Sequence, residues 1–373
     1  MIQIRPISHQ DKKEVRKFIQ FPFQLYQGSP YWVPPLFKGA VNDFHTGKHP
    51  FFQHGELRLF LAERDGRTVG RVAAMENRHY NEYLGETTAF FGFYDVIEDR
   101  EVSNALFEAV FAWARERGLT KMIGPRGLVS TENTGVLVDG FENRAAMGLS
   151  YNYPYYDQLV TEAGFIKKSD LLSGYAPADQ IMPERLTRIA ERIKDRRGFE
   201  VVHFQDMKEA DFWIPQVLDV LKRAFEIHPG YCPPTPGELK IAADNLLAIA
   251  DPRLIKLIRK DDLVIGFIFA YHDVTAGLQR AKGRIWPLGW LHLLAERRRT
   301  KWVNINGVGV LPEYQGMGVN AILYTEIKKS VDQFDFEHVD VVQVGEDNFQ
   351  SRSDMETMGI RWYKSHRSYQ RDL

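Results

Sequence analysis

The sequence predicts an α/β protein made of two consecutive domains of one topology, each a twisted mixed β-sheet flanked by helices. Three observations predict this fold class. The chain has 373 residues, which exceeds the roughly 250 to 300 residues that one hydrophobic core sustains. Hydrophobic residues make up 44% of the chain, enough to form packed cores. Strand and helix patterns also follow one another in the same order in both halves.

The first half begins with a strand and a helix and continues as an antiparallel sheet. The Asp65-Gly66 pair between two alternating apolar segments is typical of a hairpin turn. Gly118 follows a segment with apolar residues at helical spacing and marks the end of that helix. The predicted elements are a strand at 2–7, a helix at 11–19, strands at 58–63, 68–74 and 89–96, a helix at 102–117 and a strand at 121–125.

The second half repeats this order. Its predicted elements are a strand at 199–204, a helix at 208–225, a hairpin of 254–260 and 263–271, a strand at 302–311, a helix at 317–334, a strand at 338–344 and a helix at 351–358. The polar stretch between the halves contains an amphipathic segment and lacks the Gly and Ser content of a flexible coil. We therefore predict a first domain at 1–176, a helical linker at 177–198 and a second domain at 199–373.

Composition argues against several functional classes. The chain has 48 Lys and Arg against 49 Asp and Glu, so it lacks the positive field with which nucleic-acid binders attract phosphates. Its one cysteine, Cys232, excludes a disulfide framework, and its histidines form no metal-binding spacing. No apolar run approaches the ~20 residues of a membrane helix, and no signal peptide is visible. We expect a cytoplasmic protein that binds no metal, nucleic acid or membrane.

The stretch from 304 to 323 carries the most chemical information. Gly307 and Gly309, at alternate positions of a strand, predict a β-bulge or a close approach by another backbone or a ligand. After Pro312 ends the strand, the segment from Gln315 to Gly318 lets the main chain turn sharply into a helix. The first N–H groups of that helix form an anion site suited to a pyrophosphate. The sequence contains neither the P-loop nor the dinucleotide-binding glycine pattern.

This stretch resembles motif A of the GCN5-related N-acetyltransferases, the GNAT superfamily. The family pattern is a strand, then Val-x-Pro-x-x-Gln/Arg-x-x-Gly-x-Gly/Ala, then a helix. Here it stands as Val310, Pro312, Gln315, Gly318 and Asn320. The last of these departs from the Gly or Ala that the family usually has, although a backbone N–H remains available at that position.

A second resemblance lies downstream. Asn348 opens a run that is similar, with three substitutions, to the family's Asn-x-x-Ala-x-x-x-Tyr-x-x-x-Gly-Phe. The substitution at Met355 matters most, because the tyrosine that it replaces protonates the departing thiolate in many relatives and a thioether cannot do so. Tyr363 and Tyr369 are candidates to take its place.

The resemblance implies a site for acetyl-CoA or another acyl-CoA. Its pyrophosphate would lie over main-chain N–H groups, its pantetheine would pair with the motif A strand, and an amine would attack the thioester directly. The residues implied in cofactor binding are Val308, Val310, Gln315, Gly316, Met317, Gly318, Val319, Asn320 and Asn348. Asn304 and Asn306 share one face of the strand and are predicted to orient the substrate, since an amide is not a useful base.

The loop at 226–238 supplies the predicted catalytic residues. His228 and Tyr231 are candidates for proton transfer, because imidazole titrates near neutrality and a phenol can serve as an acid. The alternative is a rigid proline-rich surface loop in which the tyrosine only packs.

The first half also resembles a GNAT domain, and we predict that it is a degenerate copy. At the position where the phosphates should bind, the first half has acidic residues between Asp95 and Val102 and lacks a Gln-Gly-x-Gly sequence. A pyrophosphate would be repelled there. The competent cofactor site is therefore expected in the second half alone.

The predicted function is transfer of an acetyl or other acyl group from acyl-CoA to an unidentified small-molecule or peptide amine. One alternative is a non-catalytic regulatory protein that binds acyl-CoA, and another is transfer of a long acyl or aminoacyl group. The basic run at 297–301, after an aromatic segment at 286–291, indicates a solvated surface, a contact with the cofactor's 3′-phosphate or an anionic partner. The oligomeric state stays open.

Overall fold

The computed structural model describes residues 1–129, 134–226 and 231–373. In chain order the strands are β1 (Ile2–Ile7), β2 (Gly55–Arg64), β3 (Arg67–Asn77), β4 (Thr88–Val96), β5 (Lys121–Gly124), β6 (Val136–Asp139), β7 (Ile166–Pro177), β8 (Glu200–Val202), β9 (Ile255–Lys260), β10 (Leu263–His272), β11 (Trp302–Val310), β12 (His338–Gly345) and β13 (Arg361–Asp372). The α-helices are α1 (Lys12–Leu25), α2 (Phe37–Asp43), α3 (Phe51–His54), α4 (Arg78–Leu84), α5 (Arg100–Arg115), α6 (Tyr155–Glu162), α7 (Glu184–Arg197), α8 (Met207–Phe225), α9 (Pro236–Ile249), α10 (Thr275–Arg280), α11 (Gly289–Arg299), α12 (Val319–Gln333) and α13 (Phe349–Thr357).

The chain forms two compact units, each assembled from separate segments. Unit 1 comprises Met1–Leu171, Val274–Glu296 and Lys364–Leu373, and unit 2 comprises Leu172–Asp273 and Arg297–Tyr363. These units differ from the contiguous ranges 1–176, 177–198 and 199–373, because those ranges follow the order of the chain whereas compact units group residues by contact. The contiguous ranges stay a prediction about domains.

Unit 1 is built on a mixed sheet. Strands β1, β2, β3 and β4 pair antiparallel in sequence order, and β5 then pairs parallel to β4 from Thr88↔Lys121 to Phe90↔Ile123. The β2–β3 hairpin predicted at Asp65-Gly66 is confirmed, with both residues at positive φ. Helix α5 packs on β2 and β3 with its apolar face.

Beyond the parallel β4–β5 pair of unit 1, the two described strands leave no open gap beside β4. Strand β4 carries a β-bulge, at which Phe93 takes a φ of 50°. Beyond the last pair, the N–H of Arg126 donates to the Phe91 carbonyl at 3.0 Å. A Cβ built on Gly92 would lie 1.9 Å from the Arg126 carbonyl oxygen. The main chain after β5 therefore fills the space beside β4.

Unit 2 repeats the arrangement of strands. Its sheet runs in the order β7, β12, β11, β10, β9, β8. The pairs from β8 to β11 are antiparallel, and β11 pairs parallel to β12. Ile305, Val339 and Val341 are buried in a core to which α12 contributes Ile322 and Leu323. The fold class predicted from the sequence, a mixed sheet flanked by helices, is confirmed.

Strand β11, like β4, carries a bulge. Ile268 pairs with Val308 and Ala270 with Ile305, so two residues of β11 lie opposite one residue of β10. Gly307 is one of the two and takes a φ of 117°. The predicted bulge is thus confirmed. At Gly309 the close approach comes from a side chain, since an added Cβ would lie 2.5 Å from the Phe267 ring.

Candidate functional site

Strands β11 and β12 separate to form a gap in unit 2. Their parallel pairing covers only Trp302↔His338 to Ile305↔Val341. Over the described residues of both strands the ladder stops there, although β11 runs on to Val310 and β12 to Gly345. The result is an open edge on β11 beyond Ile305, of a kind into which an extended ligand can insert and pair with main-chain groups.

The alternation of the ladder decides which main-chain groups face this gap. The Leu311 N–H donates to the Ile265 carbonyl on β10 at 2.9 Å. Because main-chain groups alternate in direction along a strand, those of Val310 and Val308 are directed away from β10 and into the gap. The Val310 carbonyl accepts a hydrogen bond from Gln315 Nε2 at 3.2 Å. The side chain of Gln315 therefore fastens the turn to the end of β11.

The turn between β11 and α12 presents main-chain amides. Gly316 and Gly318 have φ of 71° and 87°, values that favour glycine. The N–H groups of Gln315 and Met317 donate within the turn, to the carbonyls of Pro312 and Tyr314 at 3.3 Å. In the described part of the chain, the N–H groups of Gly316, Gly318, Val319 and Asn320 have no acceptor. These four amides, at the positive end of a helix dipole, form an anion site.

The space over the turn is open on one side and closed on the other. A Cβ built on Gly316 would meet no atom within 4 Å, whereas one on Gly318 would lie 2.7 Å from Ile193 Cδ1. The turn is thus held against α7 at Gly318 and accessible at Gly316. Val319 is buried as a whole residue, so its side chain does not contact a ligand here.

The corresponding helix of unit 1 begins differently. The Asp99 side chain accepts hydrogen bonds from the N–H groups of Glu101 and Val102 at the start of α5. Arg64 lies 2.8 Å from the same carboxylate. The first amides of α5 are therefore occupied by a fixed negative charge, whereas α12 has no side-chain cap in the part of the chain that the structure describes.

Two asparagines that are predicted to bind the cofactor have side chains that form hydrogen bonds within the protein. Asn320 Nδ2 donates to Asp354 Oδ2 on α13 at 3.1 Å. Asn348 Oδ1 accepts from the Ser351 N–H at 3.1 Å and caps α13. The departure from Gly or Ala at Asn320 is accommodated because its side chain turns towards α13. Cofactor binding by these residues stays a prediction.

A polar cluster lies at the apex of the gap, where β11 and β12 begin to separate, on the sheet face opposite Val303 and Ile305. The residues of this cluster, named here the apex cluster, are Tyr271, Asn304, Asn306, Asp340 and Tyr363. Asn304 is 0% exposed, and neither its Nδ2 nor its Oδ1 has a hydrogen-bond partner among the described residues. Its register partner across β12 is Asp340, a buried carboxylate. An unpaired buried amide is unfavourable by about 1–3 kcal/mol. A buried side chain left without a partner in this way is a candidate for a functional role.

Tyrosine hydroxyls border this cluster. Burial, together with the Asp340 carboxylate to which its hydroxyl donates, raises the pKa of Tyr363 well above the usual value. Burial likewise raises the pKa of Tyr271, although a hydrogen bond with Asn306 acts in the opposite direction. Both hydroxyls remain protonated at neutral pH. The structure thus brings Asn304 and Asn306, which the sequence predicted together, close to Asp340 and Tyr363.

Sequence reasoning did not select Asp340. Its signal was present, because Asp340 is the one charged residue in the apolar segment from Val339 to Val344. A carboxylate facing inward from a buried strand is rare unless it is paired or functional.

The structure describes only part of the predicted catalytic loop at 226–238. His228 lies outside the described residues. Tyr231 is half-buried, with its ring centroid 6.5 Å from that of Phe225. Met355 is buried in the core of unit 2, and Tyr369 is buried in unit 1, where its hydroxyl donates to Asp157. Of the two candidates to replace the missing tyrosine, Tyr363 alone belongs to this cluster.

The chain is similar in sequence to known proteins. Residues 217–360 match the model of the Acetyltransferase (GNAT) family. The chain is 29% identical over 370 residues to a protein of Caulobacter vibrioides named Bacterial ceramide synthase, covering 96% of this chain and 95% of the relative. It is 26% identical over 373 residues to Protein YghO of Escherichia coli, covering 97% and 94%.

Solved structures share the fold over the whole chain. A tandem GNAT protein from the clavulanic acid biosynthesis pathway aligns with a TM-score of 0.58 at 12% identity, covering 100% of this chain and 98% of that one. A GCN5-related N-acetyltransferase from Sphaerobacter thermophilus aligns with a TM-score of 0.53 at 12% identity, covering 100% and 95%.

Proposed function

This chain belongs to the GNAT superfamily, and from that premise we propose that it is an acyl-CoA-dependent N-acyltransferase. The observation that carries the proposal is the open edge of β11 next to an uncapped helix N-terminus with amides at Gly316, Gly318, Val319 and Asn320. A pyrophosphate and an extended pantetheine arm need these two features side by side. The donor is acetyl-CoA or another acyl-CoA, which supplies the activated thioester.

The cofactor site that we propose is confined to unit 2. The four amides hold the pyrophosphate, and the main chain of Val308, with the Val310 N–H, holds the pantetheine. In unit 1 the Arg126 main chain fills the space beside β4, and Asp99 occupies the amides of α5. This contrast supports the prediction that unit 1 is a degenerate copy with no acyl-CoA site.

The apex cluster binds the acceptor amine and accepts its proton. Asn304 orients the amine through its unpaired amide group, and the Asp340 carboxylate accepts the proton that the amine loses on attack. Tyr363, whose hydroxyl stays protonated, fixes the orientation of Asp340. Asn306 borders the acceptor next to Tyr271. His228 and Tyr231 stay proposed as candidates for proton transfer, and we propose that one of them protonates the departing thiolate.

The acceptor that we propose is a long-chain amino alcohol, and the donor a long-chain acyl-CoA. The relative named Bacterial ceramide synthase supports this choice, because its similarity spans 96% of this chain. Ceramide is the amide of a long-chain amino alcohol and a fatty acid. Transfer of a long acyl group was one of the alternatives that the sequence left open.

The second candidate function is a non-catalytic protein that binds acyl-CoA. Met355 favours it, because the buried thioether occupies the position of the family's proton-donating tyrosine. Tyr363 and Asp340 favour the enzyme, since together they restore proton-transfer groups beside the gap.

A thiol-release assay distinguishes the two. The wild-type protein is incubated with acetyl-CoA or palmitoyl-CoA and with sphinganine, a short amino alcohol or a lysine peptide, and free CoA thiol and amide product are quantified. We expect steady turnover, fastest with palmitoyl-CoA and sphinganine. Turnover with acetyl-CoA and the peptide alone would overturn the long-chain assignment, and ligand binding without any turnover would support the regulatory protein.

A further inference from the structure

A cluster of exposed apolar side chains lies on the part of unit 1 that the chain forms between α10 and α11. Trp286 is 77% exposed and Leu288 is 63% exposed, and they belong to a run of exposed apolar residues and are not scattered singly. The six exposed large apolar residues of this segment, named here the apolar tip, are Ile285, Trp286, Leu288, Trp290, Leu291 and Leu294. Contiguous exposure of this kind marks an interaction site.

Hydrogen bonds and an ion pair fix the segment that carries the apolar tip to the rest of unit 1. Gln279 Nε2 donates to the carbonyls of Pro30 and Trp32 at 2.8 and 2.9 Å, and the Phe37 N–H donates to the Gly283 carbonyl at 2.9 Å. Arg280 on α10 pairs with Glu296 on α11. Anchoring on both sides means that the tip is presented to solvent by the fold and is not a loose loop.

The apolar residues of α11 lie on one face. Trp290, Leu291 and Leu294 follow helical spacing, and Arg298 continues the same face one turn later. A helix that presents tryptophan and leucine beside arginine has the composition of helices that lie in the plane of a membrane interface.

The sequence around the apolar tip is rich in basic residues although the whole chain is nearly neutral. Between Ala281 and Thr300 the sequence holds five basic residues, Lys282, Arg284, Arg297, Arg298 and Arg299, and one acidic residue, Glu296. Glu296 is buried and pairs with Arg280, so its charge is neutralised inside the protein. A partner with matching chemistry is therefore anionic and apolar.

We propose that the apolar tip docks on the surface of an anionic phospholipid bilayer. Tryptophan and leucine enter the boundary between headgroups and acyl chains, and the exposed Lys282, Arg284 and Arg298 contact lipid phosphates. A second copy of this chain fits poorly, because a symmetric contact would bring two basic segments together. This proposal revises the expectation of no membrane partner. No described helix is long and apolar enough to span a bilayer, so the association is with the surface only.

Vesicle sedimentation tests the proposal without any acyl donor or acceptor, so its outcome is independent of the proposed enzyme activity. The probes are phosphatidylcholine vesicles with and without phosphatidylglycerol. We expect binding to the anionic vesicles, weakened by salt, and at least ~10-fold weaker for Trp286→Ser/Trp290→Ser. Arg284→Gln and Arg298→Gln should each weaken it about fivefold.

The matched control is Phe212→Ser/Phe349→Ser, which removes two aromatic rings that are 73% and 74% exposed on other helices. It should bind vesicles as the wild type does. Quenching of wild-type tryptophan emission by brominated phosphatidylcholine provides a second readout that needs no variant. Three outcomes would each overturn the proposal. The wild type could fail to bind vesicles, or both double variants could lose binding equally. The protein could also form a dimer that only the Trp286→Ser/Trp290→Ser change dissociates while vesicle binding persists.

Discussion

Replacing Gly316 with aspartate is expected to lower the affinity for coenzyme A at least ~30-fold, about 2 kcal/mol, because it places a carboxylate beside the amides proposed to hold the pyrophosphate. Open space over Gly316 accommodates the new side chain. The change imitates unit 1, in which Asp99 occupies the first amides of α5. It therefore tests directly why one unit is proposed to bind the cofactor and the other is not.

The matched control is Gly316→Asn, which has the same shape without the charge. Asparagine and aspartate tolerate the left-handed conformation required at this φ of 71° similarly well. Isothermal titration with coenzyme A should find Gly316→Asn within about fivefold of the wild type, since strain there is of order 1 kcal/mol. Equal affinities of the Asp and Asn variants would show that the pyrophosphate does not lie over this turn.

Asp340→Asn is expected to reduce the turnover number by a factor of about 10² to 10⁴, the usual contribution of a positioned general base. The amide keeps the shape of the side chain but cannot accept a proton. Affinity for coenzyme A should change less than about twofold, because Asp340 lies on the apex cluster and not among the turn amides. Single-turnover kinetics and titration calorimetry on the same preparation separate the two effects.

Two further variants sharpen this test. Tyr363→Phe removes the hydroxyl that donates to Asp340 and should lower turnover about tenfold, less than loss of the carboxylate itself. Asp262→Asn removes an exposed carboxylate from the β9–β10 turn of the same unit and should leave turnover unchanged. If Asp340→Asn retained full activity, the proton would have to leave by another group, and His228 and Tyr231 would become the leading candidates.

The sequence predicted those parts of the site that depend on local backbone chemistry. The bulge at Gly307 and the turn at Gly316 and Gly318 require conformations that glycine favours, so these residues signal their own geometry. Gln315 shows the limit of such reasoning. Its cofactor role is implied by the resemblance through its main-chain N–H and stays a prediction, whereas the hydrogen bond from its side chain to the Val310 carbonyl could not be predicted from the local sequence.

The apex cluster was less accessible to prediction because it depends on pairing between strands that are distant in sequence. Asn304 was selected from β11, but nothing local links it to Asp340, and the register of a parallel pair is not encoded in either strand alone. Tyr363 and Tyr369 are expected on the final strands, and β13 contains both, but its buried polar residues Lys364 and His366 do not follow the apolar alternation by which the inward face of a strand is recognised.

The most direct test of the central claim is the stoichiometry of coenzyme A binding to the wild-type chain by isothermal titration calorimetry. With the cofactor site confined to unit 2, the titration should saturate at one coenzyme A per chain and lose that site in Gly316→Asp. Saturation at two per chain, or no binding to the folded protein, would contradict the assignment of a single acyl-CoA site at the β11–α12 turn.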